Sequence, residues 1–257
     1  MIRKVVIIGT GNVAWHLAHK LPLYGSCVVQ IVGRNADKTQ ALALDIGADY
    51  SYDFSEIYPD ADFYIYAVSD DSLSSVIESI KVKNGIHIHT SGSADIAVFE
   101  GWQEQYGVMY PSQTFTIGKN IDFEKIAIFI EGNNAEISNK IESFAKTLSL
   151  KTFNSSSQMR CKVHLANVIA SNFANALWAK TYDILKSEGL RFADISLPLI
   201  EETLDKLRYM PPQKAQTGPA IRGDNQTINK HLKLLAQDPK FAEIYKDLTN
   251  LIISNYY

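Results

Sequence analysis

Residues 4–14 read KVVIIGTGNVA, and the fold of the first half of the chain turns on them. An apolar run, residues 5–8, leads straight into Gly9-Thr10-Gly11-Asn12-Val13-Ala14, a GxGxxA turn that opens a helical pattern. In such a turn Gly9 permits the tight bend and Gly11 lets a pyrophosphate come up to the backbone. Ala14 then lets the helix pack closely on the strand. The helix aims its unpaired N–H groups and the positive end of its dipole at the phosphates. A glycine pattern alone is weak; the strand before it and the helix after it are the context that gives it weight. The competing reading is a glycine turn that is purely structural.

Outward from this turn, the first 150 or so residues alternate apolar runs with helical patterns, which points to a parallel α/β sheet. Strands are expected at 4–8, 27–32, 63–68, 86–89, 108–110 and 126–131, with helices at 13–21, 36–44, 71–80 and 135–148. Unbroken runs such as VVII and IAIFI suit strands covered on both faces. After Thr152 the period becomes helical: a long helix of about 30 residues from Ser157, then helices at 193–207, 225–235 and 239–253. The expected architecture is therefore a Rossmann-type, mostly parallel sheet domain over 1–153, followed by an all-α domain over 154–257.

The bulk properties narrow the function. The chain has 257 residues, 46% hydrophobic and 21% charged, with a net charge of -3. That is an ordinary globular composition with no pull toward nucleic acid. No apolar run reaches the roughly 18 residues of a membrane span. The N-terminal apolar run is too short for a secretory signal. Cys27 and Cys161 lie in different halves without metal-ligand spacing, so a reduced, cytoplasmic protein without a metal site is expected.

Three loops follow from the dinucleotide reading. After the second strand comes Gly33-Arg34-Asn35, with no acid at the tip until Asp37. An acid there would bind a ribose 2′-hydroxyl, whereas Arg34 suits a 2′-phosphate, so NADP(H) is expected over NAD(H). The alternative is a solvated Arg34, with Asn35 only capping the next helix. Val68-Ser69-Asp70-Asp71 and His89-Thr90-Ser91-Gly92-Ser93 follow later strands, where the nicotinamide belongs. Val68, Ser69, Thr90, Ser91 and Gly92 are the cofactor candidates; helix capping competes for Ser69, Asp70 and Ser93.

The long helix carries a polar line on an otherwise apolar surface. With His164 at zero, Asn167, Ser171 and Asn175 fall within about 60°, and Asn172 about 80° to one side. Such groups need partners or a wet cleft. His164 and Asn167 are the catalytic candidates, since imidazole moves a proton near neutral pH. Ser171 and Asn172 would hold a substrate. Interhelical hydrogen bonding or a polar dimer seam is the alternative. Near the C-terminus the loop TGPAIRGDNQT, residues 217–227, interrupts the helices. Its Arg222 offers a fork for a small acid and Asp224 a polar contact; a structural Arg222–Asp224 ion pair competes.

The order IIGTGNVA, VGRN, AVSDDSL, HTSGS, MYPSQTF, HLANVIASN and TGPAIRGD resembles one bacterial family across nearly the whole chain. Its members are Rossmann-like proteins whose C-terminal helical domain has no assigned function. The N-terminal half is also similar to pyrroline-5-carboxylate reductase and the deazaflavin-dependent NADP reductases. The layout looks like that of the β-hydroxyacid dehydrogenases, such as 6-phosphogluconate dehydrogenase. The resemblance implies a nucleotide-binding domain, a helical domain that commonly dimerises and a cleft between them. In the β-hydroxyacid dehydrogenases the acid/base is a lysine on the first long helix of the second domain. Here His164 stands in about that region, while Lys162 lies about 200° around the helix, so the lysine–asparagine motif is not reproduced. The expected function is NADP(H)-dependent hydride transfer to or from a small C=O or C=N metabolite by a homodimer. A non-catalytic NADP(H)-binding redox sensor is the second reading.

Overall fold

The computed structural model describes residues 2–256, without the side chains of residues 255 and 256. Met1 and Tyr257, the last residue of the C-terminal stretch LIISNYY, lie outside the described residues. The chain forms two compact units, Met1–Asn175 and Ala176–Tyr257.

The first unit is built on one eight-stranded sheet in the order β3-β2-β1-β4-β5-β6-β7-β8. Its strands are β1 (Arg3–Ile8), β2 (Ser26–Val32), β3 (Asp49–Ser51), β4 (Phe63–Tyr66), β5 (Ile86–His89), β6 (Tyr106–Ser112), β7 (Ala127–Gly132) and β8 (Thr152–Asn154). All neighbours run parallel except β6 and β7. Helices α1 (Asn12–Lys20), α2 (Ala36–Ile46), α3 (Asp70–Ser79) and α4 (Ala135–Leu148) connect and cover it. Every strand expected from the sequence is present. The two that were not expected, β3 and β8, are three residues long, lie at the two sheet edges and carry no apolar run.

The run Val5–Ile8 is buried on both sides because its residues alternate between two cores. Val5 and Ile7 pack with Leu17, Ile65, Ile141 and Phe144; Val6 and Ile8 pack with Tyr64, Tyr66, Val76 and Phe99. The register then fixes where a ligand goes. Ile8 pairs with Val32 and Tyr66, Val32 with Ser51, and Tyr66 with His89. The chain therefore leaves the sheet at one level, at Gly9, Gly33, Ala67 and Thr90, along the carboxyl edge where open α/β sheets bind ligands.

From Ser157 the chain is helical to Ser187: α5 (Ser157–Asn167), a π-helical turn (Val168–Phe173) and α6 (Ala174–Ser187). The second unit continues with α7 (Phe192–Ile195), α8 (Leu197–Lys206), α9 (Pro212–Ala215), α10 (Asn225–Leu234) and α11 (Pro239–Tyr256). The single helix expected over 193–207 is broken at Ser196, because Pro198 has no N–H to give and fits only the first turn of a new helix. Within this unit Lys180 pairs with Asp238 at 2.5 Å, and His231 Nδ1 bonds the Tyr245 hydroxyl at 2.8 Å. Among the described residues no helix is long and apolar enough to cross a membrane.

Two histidines of β5 are locked inside the sheet. His87 stacks on Tyr64; its Nε2–H donates to the Asn84 carbonyl, which leaves Nδ1 to accept the Tyr66 hydroxyl at 2.9 Å. Burial pushes His87 down to about 4, and burial, reinforced by the nearby Arg160 guanidinium, pushes His89 down to about 3. Both stay neutral in the fold, whereas in the unfolded chain they take up protons near pH 6.5. Their contribution to stability is thus complete above pH 6.5 and is lost as the pH falls toward the folded values. Urea unfolding followed from pH 7 to pH 4.5 should show stability falling by up to about 1.4 kcal/mol per histidine per pH unit. A His87→Asn variant should show a shallower slope.

Candidate functional site

At the level edge of the sheet a cleft of about 440 Å³ opens beside the glycine turn. Gly9 has φ 118, and a Cβ there would lie 2.3 Å from the Ala67 carbonyl oxygen, so only glycine lets β1 turn beside β4. Gly11 faces open space: a Cβ there would meet nothing within 4 Å. It is also the N-cap of α1 and brings no side chain to the first N–H groups, which stay available to an anion. Thr10 lines the cleft, and Val13 packs on the core below. Asn12 points elsewhere: its Nδ2 donates to the Phe115 carbonyl at 2.8 Å.

Arg34 stands exposed at the tip of β2, its Nη2 donating to Ser72 Oγ at 3.1 Å, where Ser69 Oγ also bonds at 3.1 Å. The turn that carries it is stiff. Thr39 Oγ1 ties the Gly33 and Asn35 carbonyls, and the Asn35 side chain caps α2 by accepting the Lys38 N–H. Asn35 is thus a cap that also lines the cleft. Val68 and Ser69 line the opposite wall.

The loop after β5 is bound mostly to itself. The Thr90 hydroxyl and N–H both donate to the Tyr66 carbonyl, and Ser91 Oγ accepts the Ser93 and Ala94 N–H groups. Ser93 Oγ donates to the Asp70 carboxylate, which joins the two nicotinamide-side loops. Two hydroxyls expected to face a ligand therefore hold the loop, and Gly92 makes the outward contact. A Cβ on Gly92 would lie 2.7 Å from His164 Nδ1 and 2.9 Å from Tyr110 Cζ.

A second cavity, also about 440 Å³, is lined by His164, Asn167, Ser171 and Asn172. Its other wall is Tyr110, Ser112, Gln113, Thr114 and Phe115, from the end of β6 and the loop after it. Tyr110 Oη lies 3.3 Å from His164 Nδ1, and Asn167 Nδ2 donates to Ser112 Oγ at 2.6 Å. The π turn explains which polar residues share the cavity. Its i→i+5 bonding widens the helix, so Asn172 comes into line five residues beyond Asn167. Asn175, which plain α-helical spacing puts on the same line, is not in the wall. The two cavities are joined through one loop, because the Phe115 carbonyl that receives Asn12 belongs to it.

The sequence reading missed the β6 wall, although MYPSQTF was among the motifs that carried the resemblance. It also missed Arg160, which is fully buried on α5. Arg160 pairs with Glu131 and donates to the Ala94 carbonyl; Glu131 in turn accepts the Ser157 N–H and hydroxyl. This network pins the start of α5 to the loop that carries Gly92.

Arg222 and Asp224 belong to the second unit. The turn there closes with Asp224 N–H on the Pro219 carbonyl and with Gly223 at φ 65, leaving Arg222 exposed. Asp224 caps α10, accepting the Thr227 N–H at 3.0 Å and hydroxyl at 2.7 Å. Those bonds, more than the Arg222 charge, hold it below the usual carboxylate range. A larger hollow of about 590 Å³, lined by Arg3, Asp62, Gly85 and Lys140, opens at the opposite edge of the sheet, where the strands begin.

Residues 4–91 match the family described as NADP oxidoreductase, coenzyme F420-dependent, and residues 126–252 match the Domain of unknown function (DUF2520). A Bacteroides fragilis protein designated a candidate NADP oxidoreductase is 36% identical over 98% of both chains, with a TM-score of 0.91. A Thermotoga maritima protein is 22% identical over 96% of this chain and 99% of that one, with a TM-score of 0.79. A reductive aminase of Aspergillus terreus, solved with NADPH and ethyl-5-oxohexanoate, is 15% identical over 98% of this chain and 93% of that one, with a TM-score of 0.76. These last two show likeness of fold. No curated protein matches the chain.

The contact of Gly92 with both rings is open to test. Gly92→Ala forces the His164 and Tyr110 rings apart and should cost about 1–3 kcal/mol, the usual penalty for overpacking. Denaturant unfolding reads this directly; an unchanged midpoint would mean that the rings yield freely.

Proposed function

The chain, with its NADP-oxidoreductase-type N-terminal half and its Domain of unknown function (DUF2520), belongs to the family of the Bacteroides fragilis protein, and on that premise we propose that it is an NADP(H)-dependent oxidoreductase. It transfers hydride to or from the C=O or C=N carbon of a small metabolite. One observation carries the reading: the bare Gly11 turn and Arg34 line one cleft of the carboxyl edge, and the His164 cavity lies at the end of the loop that Asn12 holds.

The residues fit the cofactor. Gly9, Thr10, Gly11 and the start of α1 cradle the pyrophosphate, and Arg34, with Ser72 beside it, takes the 2′-phosphate by charge-assisted hydrogen bonds. Val68, Ser69 and the loop Thr90-Ser91-Gly92 flank the nicotinamide end. NADPH supplies the hydride when bound. His164 moves the proton, and Asn167, Ser171 and Asn172 orient the polar groups of the substrate. In the second unit Arg222 offers an exposed guanidinium suited to a small acid, on a turn that Asp224 stiffens. The protein works as a homodimer: Leu165, Ile169 and Phe173 form an apolar stripe at helical spacing, exposed at 58%, 54% and 58%, that a second copy would cover. Two free thiols suit a reducing cytoplasm.

Calorimetric titration with NADPH and NADH tests the cofactor half. NADPH should bind at least about tenfold tighter, and Arg34→Ala should remove that preference by weakening NADPH alone, since a charged hydrogen bond is worth about 1.5–3 kcal/mol. Equal affinities would overturn the NADP assignment, and binding of neither would overturn the whole reading. Tight NADPH binding that changes the oligomer without any turnover would favour the redox-sensor reading instead.

A further inference from the structure

We propose that Tyr110 and His164 form a single proton-delivery pair, in which the Tyr110 phenol hands its proton to the substrate and His164 Nδ1 replaces it. The proposal rests on the hydride-transfer reading of the cavity.

The first support is geometric. Tyr110 Oη and His164 Nδ1 are 3.3 Å apart, and the rings meet edge to face with centroids 5.9 Å apart. Gly92 stands against the same pair, since a Cβ there would lie 2.7 Å from Nδ1. Nδ1 thus has the Tyr110 hydroxyl as its hydrogen-bond neighbour, and a proton leaving it along that contact goes to Tyr110. The same Gly92 position lies 2.9 Å from Tyr110 Cζ, so the phenol stands on the side of the loop assigned to the nicotinamide.

The second support is chemical. Ser112, Gln113, Thr114, Asn167, Ser171 and Asn172, the other polar residues of the cavity wall, are hydroxyls and amides that do not exchange protons near neutral pH. Tyr110 and His164 bring the cavity's phenol and imidazole. The third is rigidity. Tyr110 sits in the β6–β7 ladder opposite Phe129, and His164 lies one turn after Arg160, which is buried and bonded to Glu131. Catalytic groups held on such elements keep their spacing.

In the reducing direction the substrate carbon gains hydride from NADPH, which is oxidised to NADP+. The C=O or C=N π pair moves onto oxygen or nitrogen and takes the Tyr110 proton, breaking the phenol O–H bond. The phenolate oxygen takes the proton of a cationic His164 at Nδ1. The imidazole is left neutral and regains its proton from water.

The test has two arms. In the cofactor-free protein, long-range proton–nitrogen NMR reads the His164 ring nitrogens. Tyr110→Phe should shift the Nδ1 signal of His164 and leave those of His87 and His231 in place. An unmoved signal overturns the pairing and leaves the proposed function standing. The second arm is single-turnover oxidation of NADPH with 1-pyrroline and cyclohexanone as C=N and C=O probes. Tyr110→Phe and His164→Gln should each slow it about 100-fold, the scale of one general acid, with NADPH affinity unchanged. The double variant should be no slower than either single one, because the two residues act as a unit. Losses that multiply, or a Tyr110→Phe variant as fast as the parent, overturn the proposal. A parent protein that reduces neither probe overturns the hydride-transfer reading, and the pair's catalytic role with it.

Discussion

The close approach of Gly9 to the Ala67 carbonyl governs the rest of the first unit. At that point β1 must leave the sheet and turn into α1 while β4 runs alongside, and no side chain fits between them. Because the turn is that tight, the strand ends stay in register, and Gly9, Gly33, Ala67 and Thr90 all emerge on one line. Everything assigned to the site in this unit is within a few residues of that line or packs on it. The cost is a backbone conformation that only glycine adopts without strain, stored where the chain reverses.

Polar chemistry inside this edge is arranged by burial. His87 and His89 lie on the same strand, both kept neutral, and Arg160 compensates its buried charge with Glu131 and a carbonyl. A lone buried guanidinium would be expensive, so Glu131 and Arg160 stand or fall together. Their pair does for the loop after β5 what glycine does for the loop after β1: it sets the distance from backbone to neighbour.

Much of this was legible in the sequence where one physical rule dominates. Continuous apolar runs marked the central strands, since a strand covered on both faces has no polar side, and the glycine turn announced its own geometry. β3 and β8 were illegible because three residues at an edge leave no pattern. The hydroxyls of Thr90 and Ser91 were readable as present but not as turned inward, since either direction satisfies a hydrogen bond. Arg160 reads as a surface residue until its partner, 29 positions away, is seen. Tyr110 and the loop behind it have no period to detect. The helical wheel found His164, Asn167 and Ser171 together and kept Asn172 beside them, but it put Asn175 on the same line, because it assumed α geometry through a stretch that is π-helical.

That π turn also sets the phase of the helix. A turn closed by i→i+5 bonds holds one residue more than its neighbours, as if a single residue had been inserted into an α-helix and absorbed without breaking it. The residues before Val168 and those after Phe173 thus belong to two helical frames offset by about one residue, or roughly 100°. A deletion within residues 168–173 would remove the extra residue and close the turn into ordinary α-helix, and the side chains beyond it would keep their directions about the axis, whereas the same deletion in a plain α-helix would turn them by that angle.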